Sequence, residues 1–231
     1  CLLKCSILDR FCKQVFDAAC GAESTPETAG LNGHEFLAVL QQSNLFTIPL
    51  DAEGKWLRFH HLFQQHLLDM LQAQWTASEI SALRRRATRW YAENGLIEEA
   101  LKHALISENS ATAKRLVVSC GFKLLNEERW SRLERWLRML PGDTLVQAPE
   151  LLVLNAWTHV IYARYTELGS CLAALGKYVS PEVYKAIKED FLNDLYDWGR
   201  TTLTESLGHS GDPRAVARQR GRGLLVVFRL L

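Results

Sequence analysis

The chain has 231 residues, of which 48% are hydrophobic and 23% charged, so a core can form without disulfides or metal ions. The formal net charge of +1 excludes a strong overall attraction to nucleic acid or to an acidic membrane. No apolar run reaches the ~20 residues that span a bilayer, and the first residues lack the pattern of a signal peptide. We therefore predict a cytoplasmic protein without membrane contact.

The cysteines also favour a reducing compartment. They are Cys1, Cys5, Cys12, Cys20, Cys120 and Cys171. They form no CxxC pair and no spacing typical of a metal site, so we expect reduced and mostly buried thiols. Cys5 and Cys12, seven residues apart, should share one helical face. Because the chain opens on Cys1 within a helical pattern, we expect it to be a fragment whose upstream part is missing.

The first elements in chain order are helical. Residues 2–20 have the apolar spacing of a helix, with a break expected near Asp9. A loop of small and polar residues follows over 21–33. Asn32 and Glu35 have the spacing of a capping box, which predicts that the next helix begins there.

The periodicity then changes from helical to alternating. Residues 46–50 and 56–59 predict two short strands joined by a turn at Gly54. Because Pro49 cannot donate a hydrogen bond to a neighbouring strand, the first strand should lie at an edge. The helical period returns at His60. Helices followed by a two-stranded hairpin are typical of a winged helix.

From residue 76 onward the pattern predicts only helices. Thr76 and Glu79 form a second capping box, and short amphipathic helices then follow in pairs. Such pairs bury their apolar faces by stacking, which predicts a tetratricopeptide-like array, although the strict 34-residue consensus is not matched. We predict a mainly all-α chain in three parts: a winged-helix switch module over 1–75, a helical-repeat sensor over 76–207 and an irregular Arg/Gly tail over 208–231.

No pattern of a catalytic site is present. The sequence contains no phosphate loop, no dinucleotide fingerprint and no nucleophile elbow. His61 and His66 are five residues apart, which does not suit a metal pair on a helix, so we predict no metal ligand, no catalytic residue and no enzyme activity.

Three other clusters have plainer interpretations. Adjacent carboxylates and a run of arginines point to different sides of a helix, which favours solvated surfaces. These residues are Glu98, Glu99, Glu127, Glu128, Arg84, Arg85 and Arg86. Trp90 and Trp136 are predicted to be core anchors, because they fall at helical spacing within apolar faces.

Several segments together resemble bacterial transcription regulators of the MalT/LuxR type. The matching stretches lie at residues 2–11, 36–51, 56–63, 85–105 and 137–157, within a resemblance that covers about residues 2–175. Each stretch alone is weak, but their combined order and spacing are specific.

This resemblance implies a signalling ATPase of the STAND class. Such regulators carry a nucleotide-binding module, a winged helix, a helical-repeat sensor and a C-terminal LuxR-type helix-turn-helix. ADP holds them closed, and inducer with ATP releases them to activate transcription. The chain would hold the winged helix and the start of the sensor, with no cofactor of its own. ATP or ADP, with Mg²⁺, would bind the upstream module, an inducer or protein would bind the repeats, and DNA would bind a separate domain.

The resemblance also implies one functional residue, His60. In related proteins, a histidine at the start of this helix touches the β-phosphate of the nucleotide, and the stretch from Phe59 to Leu62 is similar. His61 stands where an acid is common, which puts the role of that position in doubt. His60 should be exposed when its partner module is absent. The alternatives are that His60 only caps a core helix, and that the chain is a peptide-binding repeat scaffold without a nucleotide role. A nucleotide-binding module encoded upstream would favour the regulator.

Overall fold

The computed structural model describes residues 1–21, 32–43, 46–162, 164–189 and 193. In these residues, helices α1 to α11 and strands β1 and β2 have the following bounds: α1 Leu2–Cys5, α2 Lys13–Cys20, α3 Gly33–Gln42, β1 Thr47–Pro49, β2 Leu57–Phe59, α4 His61–Gln74, α5 Ala77–Glu93, α6 Ile97–Ile106, α7 Ser110–Asn126, α8 Trp130–Met139, α9 Gly142–Val146, α10 Pro149–Ile161 and α11 Tyr165–Leu175. Residues 181–189 are also helical. The predicted tail over 208–231 lies outside the described residues.

The predicted hairpin is confirmed. Strands β1 and β2 pair antiparallel, with Thr47 opposite Phe59 and Pro49 opposite Leu57. The turn between them contains Gly54 at a φ of 64°, which glycine adopts without strain. β2 also bridges to Phe11 on its other side, so Pro49 lies in the outer strand of this small sheet.

The helix expected over residues 2–20 is interrupted more widely than predicted. Residues 6–12 separate α1 from α2, because the backbone of Phe11 exchanges two hydrogen bonds with Leu57, at N···O distances of 2.8 and 2.9 Å. The expectation that Cys5 and Cys12 share a helical face is therefore wrong, since Cys5 ends α1 and Cys12 precedes α2. Both side chains are nevertheless buried.

Aromatic rings fill the core beneath the hairpin. The ring of Phe11 lies 4.8 Å from that of Phe59, and Phe16 stacks on Phe36 at 4.1 Å. All four side chains are buried. The capping box of Asn32 and Glu35 begins α3 as predicted, which brings Phe36 onto this cluster.

Helices α5 and α6 pack with the winged helix. The chain divides into compact units over Cys1–Asn109 and Ser110–Leu231, and α5 packs against α2 within the first unit. The predicted capping box of Thr76 and Glu79 begins α5. Arg86 was expected to be solvated, but its Nε donates to the carbonyl of Ala19 at 2.8 Å. The predicted boundary at residue 75, between the winged helix and the helical repeats, stays a prediction. A division of the chain into compact units does not test where one module ends and the next begins.

The second unit is built of paired helices. α7 packs against α8, and α10 packs against both of them and against α11. Leu151 to Leu154 are all buried, which places α10 at the centre. Ile187 joins the cluster of α10 and α11, after Ser180 accepts a hydrogen bond from the Val183 amide at 3.3 Å. For the part of the chain that the structure describes, the mainly α fold with one hairpin is therefore confirmed.

The two predicted tryptophan anchors differ in burial. Trp136 is 2% exposed and confirmed as a core residue. Trp90 is only half-buried, because it lies at the edge of α5 against Trp56 and Tyr91, with ring centres 6.3 and 5.6 Å away. Among the described helices, we find none with both the length and the apolar character needed to cross a membrane.

Candidate functional site

His60 lies at the junction of β2 and α4. Its backbone is extended, with φ −59° and ψ 136°, and it occupies the N-cap position of α4. Its amide donates to the carbonyl of Phe46 at 2.7 Å, and its own carbonyl accepts from Gln64 at 2.9 Å. The imidazole makes no capping hydrogen bond, so the interpretation that this side chain serves as a helix cap is not met. The His60 side chain thus caps none of the first amides of α4.

The neighbouring histidines are arranged unequally. The rings of His60 and His61 contact each other with centres 4.5 Å apart. His60 is half-buried, whereas His61 and His66 are exposed, so the predicted exposure of His60 is met only in part. Within the described residues, no three metal-ligating side chains come together.

Apolar side chains border this helix start. Phe46 is 65% exposed and Leu62 68% exposed. Phe46 has a φ of 46°, a left-handed conformation that is costly for a bulky aromatic residue. Its ring contacts Phe63, which in turn contacts Phe59, with centres 5.3 and 5.6 Å apart. Sequence reasoning assigned Phe46 to the first strand and missed this exposed position, since an alternating pattern does not distinguish a strand from the residue before it.

Gln64 attaches the first turn of α4 to the segment between α1 and α2. Its side-chain amide donates to the carbonyls of Ser6 and Leu8 at 3.0 and 3.1 Å. Those carbonyls belong to the irregular segment between α1 and α2, which has no helical partners for them. The start of α4, and with it His60, is therefore held in a defined position.

Several titratable groups of the first unit are buried. Burial lowers the pKa of His103 to about 4, and Arg84 adds to the effect. The His103 ring stacks on Tyr91 with centres 5.4 Å apart. Burial raises the pKa of the Cys20 thiol to about 12, so this cysteine stays protonated and unreactive. All six cysteines are free.

Comparison with known proteins finds one family model and several curated relatives. Residues 1–79 match the family model described as the MalT winged helix domain. The HTH-type transcriptional regulator MalT of Vibrio cholerae serotype O1 is 28% identical over 179 residues, which cover 76% of the chain and 18% of that protein. MalT of Klebsiella pneumoniae is 29% identical over 161 residues, which cover 69% of the chain and 18% of that protein.

The chain spans about a fifth of the length of the curated relatives that it matches. Those relatives are named as transcriptional regulators, not as enzymes. The aligned part extends well beyond the winged helix. Over about three quarters of its length the chain is therefore similar to a regulator of the MalT type, and its residues 1–79 match the model of the MalT winged helix domain.

Proposed function

We propose that this chain is the switch and sensor region of a MalT-type, ATP-dependent transcription regulator of the LuxR family and STAND class. It would couple nucleotide state and inducer binding to transcription activation. The observation that carries the proposal is the placement of His60, whose imidazole is unused as a cap at the start of α4. The match of residues 1–79 to a winged helix domain favours this function over a plain peptide-binding scaffold, which needs no such domain.

The chemistry of this helix start suits an anion. The first amides of α4 point out of the helix, and the helix dipole places a partial positive charge there. An imidazole N–H beside them adds a donor. A charged phosphate accepting this hydrogen bond would gain roughly 1.5–3 kcal/mol. The described residues supply only this one edge, so ADP or ATP, with its Mg²⁺, would be held by a separate nucleotide-binding module of the same longer protein.

The helix pairs are the proposed sensor. Pairs α5–α6, α7–α8 and α10–α11 would offer their surfaces to an inducer or a protein partner. DNA would be bound by a further domain, as the helix-turn-helix in the name of the relatives suggests, and the protein would act in the cytoplasm.

The chain by itself should not bind ATP tightly or hydrolyse it. The sequence has no phosphate-cradling loop, and a single imidazole with one helix start replaces few of the phosphate's contacts with water. Isothermal titration calorimetry of the 231-residue chain with MgATP should therefore show no submicromolar binding. A dissociation constant below 1 μM would contradict the proposed division of labour, since 1 μM already requires about 8 kcal/mol.

Replacing His60 in a full-length regulator that carries this segment should weaken the closed state. The loss of one phosphate hydrogen bond should shift the closed-to-open equilibrium about tenfold to a hundredfold. His60→Ala should thus raise basal transcription without inducer and shorten ADP retention. His66→Ala is the matched control, because His66 is an exposed histidine of the same helix but not at its start. Unchanged basal transcription and unchanged ADP retention in His60→Ala would remove the nucleotide role.

A further inference from the structure

Arg10 contacts three different parts of the first unit. Its guanidinium forms an ion pair with Glu99 of α6 and lies over the ring of Trp56, 5.2 Å from the centre. Its carbonyl accepts a hydrogen bond from the hydroxyl of Tyr91 in α5. The side chains of Arg10 and Glu99 are 36% and 18% exposed, so this pair is partly shielded from water. Glu99, predicted to be solvated, is therefore engaged in a contact between distant segments.

Trp56 connects the hairpin to Arg10 and to α5. Its ring faces Arg10 on one side and Trp90 of α5 at 6.3 Å. Trp56 immediately precedes β2, and His60 immediately follows it. An extended strand rises about 3.3 Å per residue, so Trp56 and His60 lie on the order of 13 Å apart, at opposite ends of β2.

The strand between them is held on both sides. β1 pairs with it along one edge, and Phe11 bridges Leu57 on the other. Phe11 is the residue after Arg10, so the backbone that carries the guanidinium is itself hydrogen-bonded to the strand. A displacement of Arg10 or Trp56 is therefore expected to move β2 as a whole, and not to be absorbed by a loop.

We propose that Arg10 is a positioning residue that couples the α5–α6 helix pair to His60, by fixing Trp56 at one end of the strand whose other end carries His60. A ligand or partner that moved α6 would pull on Glu99 and, through Arg10 and Trp56, alter the placement of the imidazole. The biological meaning of this coupling rests on the proposed nucleotide role of His60. The coupling itself rests only on the contacts within the first unit.

The neighbouring ion pair of Asp9 and Lys102 provides a matched control. It also joins the segment between α1 and α2 to α6, at 3.4 Å, but both side chains are about half exposed. Exposed pairs contribute little, because water and salt screen them. Lys102→Gln thus removes a charge from the same helix without touching Arg10, Glu99 or Trp56.

The test is amide hydrogen exchange by NMR on the 231-residue chain. The reporter is the amide of His60, which donates to the carbonyl of Phe46, together with the imidazole signals assigned with a His60→Gln variant. Exchange is compared with that of buried amides in α5, which removes the effect of global unfolding. Loss of a partly buried charge-assisted hydrogen bond should speed relative exchange at His60 about tenfold.

Three variants should show this effect in a defined pattern. Glu99→Gln removes the acceptor charge, and Arg10→Lys keeps the charge but loses the planar stacking on Trp56. Each should accelerate exchange at His60 and shift its imidazole signals. In the double variant the effects should fall well short of adding, because both act through one contact. Lys102→Gln should leave the His60 signals in place.

Two results would overturn the coupling. One is unchanged exchange at His60 in Glu99→Gln and Arg10→Lys while the melting temperature falls, since Arg10 would then only stabilise the unit. The other is an equal effect of Lys102→Gln, which would make any loss of charge sufficient. If Arg10→Lys does not fold, Glu99→Gln decides alone. No nucleotide is used, so failure here leaves the His60→Ala experiment unaffected, and the reverse also holds.

Discussion

Replacing Trp136 by alanine is expected to lower the free energy of unfolding of the second unit by about 3–5 kcal/mol, the cost typical of removing a large buried ring. Trp136 is 2% exposed and lies on α8 between the buried Leu133 and Leu137, and the guanidinium of Arg132 lies over its ring. Urea unfolding, with hydrogen exchange of peptides from α7, α8 and α10, measures the loss and locates it.

Two variants control for this result. Trp130, on the same helix, is only half-buried, so Trp130→Ala should cost clearly less. Trp136→Phe keeps a ring in the core and removes an indole N–H that finds no hydrogen-bond partner among the described residues, so it should also be milder. An unchanged unfolding curve for Trp136→Ala, with loss of binding to an inducer, would show that this ring contacts a ligand instead of anchoring the core.

Acidification is expected to destabilise the first unit through His103. The folded-state pKa is about 4, because burial and the nearby Arg84 disfavour the charged imidazole, while the unfolded value is about 6.5. The unfolded chain therefore binds the proton more tightly in this window. The stability that depends on a neutral His103 is fully present above pH 6.5 and is lost as the pH falls toward 4. Between pH 7 and pH 5 the expected loss is about 2 kcal/mol.

The comparison of His103→Phe with the unaltered chain isolates this contribution. Phenylalanine retains a flat ring against Tyr91, on which His103 stacks, but it cannot titrate. The difference in unfolding free energy between pH 7 and pH 5 should therefore be about 2 kcal/mol smaller in the variant. His34 is exposed, so His34→Gln should keep the pH dependence of the unaltered chain. Identical pH profiles for His103→Phe and the unaltered chain would show that His103 does not titrate over this range.

Local rules in the sequence were enough to predict where several elements begin. The capping boxes at Asn32 and Thr76 satisfy the first amides of α3 and α5 with side chains three residues away, and such contacts need no tertiary partner. The change from helical to alternating period located the hairpin, and Pro49 placed its first strand at an edge. His60 emerged from a family resemblance spread along the chain, and its position after β2 follows from these local assignments.

The tertiary structure decided which of these local preferences were overridden. The segment around Phe11 has helical spacing, yet its backbone pairs with Leu57, 46 residues further along the chain. Phe46 reads as a strand residue but takes a left-handed conformation before β1 and stays exposed. Periodicity records only whether a residue prefers an apolar surface, and it does not specify which distant backbone will offer hydrogen bonds.

For the charged residues too, the folded structure differs from what the sequence predicts. From the sequence alone, Arg86 and Glu99 are predicted to lie on solvated helix faces. Only in the folded chain do Arg10 and Glu99 meet beside Trp56, and only there does Arg86 reach the carbonyl of Ala19. The sequence by itself thus determined most of the helices and the hairpin, whose signals lie within a few residues, while His60 became a candidate through the family resemblance. The partners of the charged side chains were decided by tertiary packing, because the Arg86–Ala19 and Arg10–Glu99 contacts each join residues more than 60 positions apart.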